Sequence, residues 1–496
     1  MSVFNYLDFS GMLNIWVGDF QKPVNELSSC KNVQEDRIGI LKRVPGYSKA
    51  STDALGSTAK INFLHHYFQA SANSWAGQSY LVAWFGSGTG YTFRKKTTAE
   101  FDGYIGGTIS DRFDLEPYAI NYLDKMFIVG YDPVDKLYMT PTTIKWTTVS
   151  TSDTDTTWMP SGRYIVRYRD LPYVLYTKIG SDIYPSRAYY PVAPVNMAIP
   201  AWGWDTPYNF EQFGQDDGDE ITGGADAYDK LVVFKTRSMW TYDQEQTKKI
   251  AEIGCDSAKS IQVIWGILYW ANRDGIWRWA GDLPQLISGK VQPLFDEINQ
   301  SKLGEMVASN YGFEYRLFVW DITYGGHEYL NTWICFDVRR EKFYIRCTSH
   351  KPFSTAKYLE NGKERMYFGS TAYVYKQSTY VDEVNSDDWN EIDYFFTTNN
   401  LDFWAPQTVK NSPNIYLFTK NCGGMKYTFD TDARDKFDIP WGQITNSNFQ
   451  DSEMSATGNR IAVKFYGKDS NKPFEFEWFI FDVEWVENVQ PRNYGL

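Results

Sequence analysis

Between Leu81 and Tyr367 the chain returns about seven times to one arrangement: a strand, a tight turn, a second strand rich in Tyr, Trp and Phe, then a third. A recurrence of short antiparallel strands every 50 residues or so leaves few folds open, and the foremost is a β-propeller. Apolar middle strands mark the period at residues 80–85, 126–129, 173–176, 231–234, 267–270, 317–320 and 366–368. Counted from Leu81 to Phe127, Val174, Val232, Leu268, Phe318 and Tyr367, the steps run from about 36 to about 58 residues, as expected of four-stranded blades with variable loops. Turn chemistry falls between the strands, in Arg273-Asp274-Gly275 and Gly369-Ser370-Thr371, and predicts hairpins.

Composition points the same way. The chain has 36 Tyr, 32 Phe and 19 Trp in 496 residues, and such side chains favour half-buried pleated surfaces. One short helix is predicted over 290–298, where Val291, Leu294, Phe295 and Ile298 share a face. Residues 1–50 read as an N-terminal arm, 51–384 as the propeller and 385–496 as a C-terminal β-sandwich-like domain. The last begins beyond the acidic break at 381–388, where strands lengthen and the period is lost. The fold class expected is therefore all-β.

The net charge of -12 excludes a general basic grip on nucleic acid, which needs clustered Lys and Arg, but suits an acidic wall past which DNA slides. Cys30, Cys255, Cys335, Cys347 and Cys422 are odd in number and lack a C-x-x-C pair, so they read as free buried thiols. The N-terminus lacks a basic region followed by an apolar one, and the longest apolar run, 263–271, is too short to span a bilayer. A soluble protein made in the cytoplasm is expected.

No catalytic motif stands out. The cluster Asp216-Asp217-Gly218-Asp219-Glu220 has several oxygens close together, as a calcium loop would, but its glycine comes too early and no distal Glu follows; it reads as a solvated turn. Ser152 to Thr156 reads as an inter-strand loop, and Gly86 to Gly90 as a hairpin turn because Tyr91-Thr92-Phe93 continues as a strand. His65, His66, His327 and His350 form no H-E-x-x-H pair, and no G-x-S-x-G elbow occurs. No cofactor, metal or catalytic residue is expected. A carbohydrate-binding or glycoside-hydrolysing propeller stays open as the alternative, since glycosidase chemistry needs only two carboxylates close in space.

Two segments go beyond a generic propeller. The first runs Gly11-Met12-Leu13-Asn14, Pro23-Val24-Asn25-Glu26-Leu27, Lys31-Asn32-Val33, then Asp36-Arg37-Ile38-Gly39-Ile40-Leu41-Lys42-Arg43-Val44-Pro45-Gly46-Tyr47. The second runs Asp216 to Gly223, Leu231 to Lys235, Ser238-Met239-Trp240, Ile253-Gly254-Cys255 and Asp274 to Trp277. Their order resembles that of tailed-bacteriophage virion β-propellers of the tail hub, packaged-DNA stabilisation or nozzle type. The chain departs from that pattern in Val44, inserted between Arg43 and Pro45, and in Met12, where a second Gly is common.

The resemblance implies a non-enzymatic structural protein of the phage neck or tail. Such a protein forms a homo-oligomeric ring, a hexamer or dodecamer, below the portal and adaptor, extends or seals the genome exit channel, and supports tail appendages. Genomic DNA passes it transiently, without sequence-specific binding. The protein would reside in the virion. The residues expected to carry assembly are Gly11, Asn14, Asn32, Arg37, Gly39, Lys42, Arg43, Pro45, Gly46 and Tyr47, with Arg37, Lys42 and Arg43 fixing the arm against the propeller or a neighbour.

Overall fold

A computed structural model describes residues 2–485 apart from 7, 18–21, 56–58, 70–77, 88–89, 97–99, 102, 105–108, 111–115, 123–124, 131–136, 140–145, 149–159, 180–181, 192–208, 216, 361, 379–387, 389, 402–408, 413, 423, 432–441, 445–448, 453–455, 459 and 470–473. The loop expected at 152–156, the acidic break at 381–387 and Asp216 lie outside the described residues.

Each apolar middle strand is the second strand of an antiparallel sheet. Leu231 to Phe234 shows why: Leu231 and Val233 pack towards Val166 and Leu175 of the preceding sheet, Val232 and Phe234 towards Leu268 and Trp270 of the next. Both faces of the strand are covered, so its sequence is apolar without alternation. Among the described residues seven such sheets occur. Their first strands are Lys60–Gln69, Tyr118–Tyr122, Ser161–Tyr168, Ile221–Ala227, Gln262–Ile264, Val307–Tyr311 and Ser354–Glu360. Each first strand lies against the next, and Ser354–Glu360 lies against Lys60–Gln69, which closes the circle. The chain is an all-β protein built on a β-propeller.

The seventh blade is completed from far away in sequence. Ser354–Glu360, Lys363–Gly369 and Val374–Gln377 are consecutive, but the outer strand is Tyr47–Lys49, paired with Tyr375 to Gln377. Among the described residues this is the one blade that mixes distant segments, and it removes the open edge that an incomplete blade would leave.

Residues before the closing strand do not stand apart as an arm. Glu475–Trp485 pairs with Ser2–Tyr6, Ile40–Arg43, Lys410–Ser412 and Ile415–Lys420 in one sheet. In a second sheet the order is Met12–Leu13, Glu26–Lys31, Ile392–Thr398, Ile461–Asp469, Lys426–Thr431 and Gly442–Gln443. The two sheets face each other across aromatic rings, with Phe396 and Phe476 centroids 5.2 Å apart and Phe465 and Phe476 4.7 Å apart. Both ends of the chain thus build one sandwich. The physical reason is pairing: the early strands carry buried residues such as Leu13, Leu27, Cys30 and Leu41, and these find their partners in the late strands.

The helix expected over 290–298 is shorter. A 3-10 turn, Ser288–Val291, leads into an α-helix of five residues, Gln292–Asp296, with Pro293 in its first turn. Proline suits a helix start and cannot sit in a helix interior.

Candidate functional site

The motif residues meet where the sandwich joins the sixth and seventh blades. Asn32 has φ +57°, a left-handed conformation that Asn tolerates better than most residues. That turn aims its amide both ways: Nδ2 donates to the Asp393 carbonyl at 2.8 Å, and Oδ1 accepts from the Cys347 N–H at 2.7 Å. Its backbone N–H also reaches the Ile345 carbonyl, 2.8 Å. One side chain therefore ties the sandwich to the outer strand of the sixth blade.

Asn14 and Gly11 belong to the sandwich interior. Asn14 Nδ2 donates to Glu26 Oε2 at 2.7 Å, and Glu26 Oε1 takes the Lys290 ammonium at 2.7 Å. A Cβ at Gly11 would stand 2.4 Å from Glu26 Cγ and 2.7 Å from the Asn25 carbonyl oxygen, so only glycine fits beside that carboxylate. Gly39 has φ +79° at the tip of a hairpin and donates its N–H to Glu35 Oε1 at 2.7 Å. Lys42 bridges Asp36 at 2.7 Å and Glu475 at 3.2 Å, joining hairpin to sandwich.

Arg43 is buried and Arg37 is exposed at the hairpin tip. The hairpin is held to the propeller from the other side: Arg340 Nη1 donates to the Glu35 carbonyl and Nη2 to the Asp36 carbonyl, both at 2.9 Å. Pro45 and Gly46 present carbonyls to two blades, the first accepting from Arg346 Nη2 on the outer strand of the sixth, the second from the Ser378 N–H just after the third strand of the seventh at 2.9 Å. Tyr47 is fully buried, with the Arg346 guanidinium 4.2 Å over its ring and Phe368 edge-on at 4.8 Å. Asp388 closes the junction, its N–H donating to the Tyr47 carbonyl at 2.7 Å. Arg340, Arg346 and Asp393 went unread in the sequence, and Glu26 stood in the motif without a role; nothing in their local spacing distinguishes a buried partner from a solvated charge.

The propeller axis holds two adjoining cavities of 410 and 460 Å³ that share Leu64, His65, Gln262 and Thr355. Lys259 Nζ sits at one, donating to the carbonyls of Asn62 at 3.0 Å and Phe353 at 2.9 Å and paired with the Glu116 carboxylate. Burial draws the Lys259 ammonium below the usual lysine value, against the opposing pull of Glu116. Glu364 is the carboxylate among the described lining residues, and it pairs with Lys357 at 3.5 Å.

His65 Nε2 lies 3.0 Å from Asn121 Oδ1, and burial pushes its pKa down from 6.5 to about 4. The folded state therefore holds His65 neutral where the unfolded chain would bind a proton. Stability contributed by the neutral ring is complete above pH 6.5 and declines as pH falls towards about 4. Thermal unfolding of His65→Gln against pH should show a flatter slope than wild type across that window. Parallel slopes would remove His65 from the account.

The acidic turn is structural. Asp217 holds the buried Lys235 ammonium through both carboxylate oxygens at 2.6 Å, while the Phe213 carbonyl accepts from the same ammonium at 2.9 Å. Asp219 accepts from the backbone N–H groups of Thr236 at 3.0 Å and Arg237 at 3.1 Å. Asp217 and Asp219 are thus engaged at the turn between the second and third strands of the blade, while Glu220 stays exposed. The thiols of Cys30, Cys255, Cys335, Cys347 and Cys422 are pushed up to about 12 by burial, which keeps them protonated and unreactive.

No protein-family model and no curated protein matches the chain. Solved structures similar to it are propellers at low identity. The extracellular domain of a proposed one component system from B. thetaiotaomicron is 10% identical over 86% of this chain, with TM-score 0.41, and the match spans 57% of that protein's length. YCF48 from Cyanidioschyzon merolae is 9% identical, covering 67% of this chain and 98% of its own, with TM-score 0.38. The GH74 xyloglucanase from Xanthomonas campestris is 13% identical, covering 72% of this chain and 50% of its own, with TM-score 0.39.

Proposed function

We propose that the chain is a non-enzymatic structural component of a tailed-phage virion, a ring-forming neck or tail protein that extends or seals the genome exit channel. One observation carries the reading. Residues within the Gly11 to Tyr47 segment, on which the resemblance to virion propellers partly rests, join the sandwich to the propeller: Asn32 bonds to both, and Tyr47 heads the strand that closes the last blade. A motif with that duty goes with a propeller joined to a sandwich that early and late strands build together, not with propellers at large.

The mechanics suit such a role. A propeller whose blades are all paired is an edge-poor block, and its junction is cross-braced by buried hydrogen bonds rather than by a free linker. A surface with net charge -12 lets a polyanion pass without gripping it. Ring neighbours, the portal and adaptor, and tail appendages would be the partners.

Mass spectrometry of purified particles of the phage that encodes the chain is the test. The chain should be found in the particle in several copies, and its absence would sink the reading. The axial cavities favour one second reading, a propeller that binds or cleaves glycans. Turnover of a polysaccharide panel, lost on Glu364→Gln, would put that reading in its place.

A further inference from the structure

The 460 Å³ axial cavity touches the inner strands of four blades: Lys60–Gln69 of the first, Gln262–Ile264 of the fifth, Val307–Tyr311 of the sixth and Ser354–Glu360 of the seventh. Its size falls within the range of small-ligand pockets, about 300 to 1,000 Å³. It also sits at the closure of the circle, where Ser354–Glu360 meets Lys60–Gln69.

Two amide side chains in its wall are locked in one orientation. Gln262 Nε2 donates to the Ala308 carbonyl at 3.1 Å, and Asn310 Nδ2 donates to the Val263 carbonyl at 3.0 Å. Only the NH₂ end of an amide can donate to a carbonyl, so these bonds decide which end is left over. In both residues it is the oxygen, which borders the cavity and meets no donor among the described residues. The acceptors are fixed by bonds between the fifth and sixth blades, not by loops. Beside them the half-buried His66 ring stands edge-on to Tyr358 at 5.3 Å. Burial holds the His66 pKa below the usual histidine value, so the ring is uncharged near neutral pH.

Charge selects the ligand class. Lys357 pairs with Glu364 at 3.5 Å, and in the adjoining cavity Lys259 pairs with Glu116. Each ammonium is already matched by a carboxylate. The wall therefore has no charge to spare for an ionic ligand, and an ion taken out of water into it would go uncompensated. A neutral molecule rich in hydroxyls avoids that cost, and its O–H groups supply the donors that the two amide oxygens lack. We infer that the axial cavity binds a neutral sugar, whose hydroxyls donate to Gln262 Oε1 and Asn310 Oδ1. The inference goes beyond the virion reading and rests on the glycan reading, which it narrows to an uncharged ligand and to named acceptors. A sugar seated there touches the first and seventh blades together, so binding also holds the circle closed.

Isothermal titration of the full chain with glucose, galactose, mannose, N-acetylglucosamine and their disaccharides tests this. At least one of these neutral sugars should bind and should raise the unfolding temperature in step with its affinity, because a ligand of the folded state stabilises it. The uronic acid and the amino sugar that correspond to it should bind wild type more weakly by roughly ten-fold or more. Gln262→Leu and Asn310→Leu each remove one acceptor and should each weaken binding roughly ten-fold. Thermal unfolding of the variants without sugar gives the separate cost of the lost bond between blades, and the charged analogues test the ligand class on wild type alone. The inference falls if no neutral sugar binds, if the charged analogues bind as well, or if both leucine variants bind like wild type. Polysaccharide turnover that disappears in Glu364→Gln would uphold the glycan reading even then, and detection of the chain in particles decides the virion reading separately.

Discussion

Asp217→Ala will lower the stability of the protein by about 3 kcal/mol, because it leaves a buried ammonium without its counter-charge. Lys235 has no solvent exposure, and three groups hold its Nζ: the Asp217 carboxylate and the carbonyls of Phe213 and Gly214. The carbonyls cannot neutralise it. Asp217 itself is 30% exposed, so water entering beside the lost carboxylate recovers part of the penalty and keeps the figure at the lower end for a broken buried pair. Lys235→Met should cost less, since it removes the charge and keeps the stem. The double variant Asp217→Ala with Lys235→Met should be more stable than Asp217→Ala alone. Chemical or thermal unfolding of the four proteins gives the coupling between the two residues. Additive losses would mean that the pair has no energetic link.

Tyr47→Ala will cost about 3 to 5 kcal/mol, the usual price of emptying a packed aromatic site. The effect will be concentrated in one place. Tyr47 opens the strand that closes the seventh blade, its ring filling the space between Arg346 and Phe368. Without it, Tyr47–Lys49 should leave Val374–Gln377 more readily, and amide exchange along Val374–Gln377 should accelerate far more than in the middle strands of other blades. Tyr47→Phe should be milder than Tyr47→Ala, because it keeps the ring that packs between Arg346 and Phe368. Unchanged exchange at Val374–Gln377 in the alanine variant would show that the blade is held shut by something else.

What the sequence made legible was local. A strand buried on both faces spells itself as a run, so Leu231 to Phe234 or Met366 to Phe368 could be found without knowing any neighbour. Pairing between distant segments leaves no such mark. Tyr47–Lys49 is three residues long, and nothing in it names Val374–Gln377 as its partner; Glu26–Lys31 gives equally little sign that it belongs beside Ile392–Thr398. An arm was the reading that remained when these short strands were taken alone.

The motif residues fared similarly. Glycine and Asn positions with backbone duties, Gly11, Gly39 and Asn32, could be picked out by type because few other residues fit such geometry. The cations were harder. Arg37, expected to fix the arm, is exposed, and the guanidinium that holds the hairpin is Arg340, some 300 residues later. Burial, not spacing, separates the two roles, and burial is decided by the partner sheet.

The closing strand and the sandwich also bear on how the protein comes into being. Tyr47–Lys49 leaves the ribosome more than 300 residues ahead of Val374–Gln377, and Ser2–Tyr6 waits still longer for Glu475–Trp485. At ordinary rates of synthesis of about 5 to 20 residues per second, the first wait lasts roughly 16 to 65 s and the second roughly 24 to 95 s. Six blades can form from consecutive strands while translation proceeds, but the circle and the sandwich cannot. The newborn chain therefore carries open strand edges at Ser2–Tyr6 and Tyr47–Lys49 until their late partners emerge, and pairing with Glu475–Trp485 comes after the circle of blades can close.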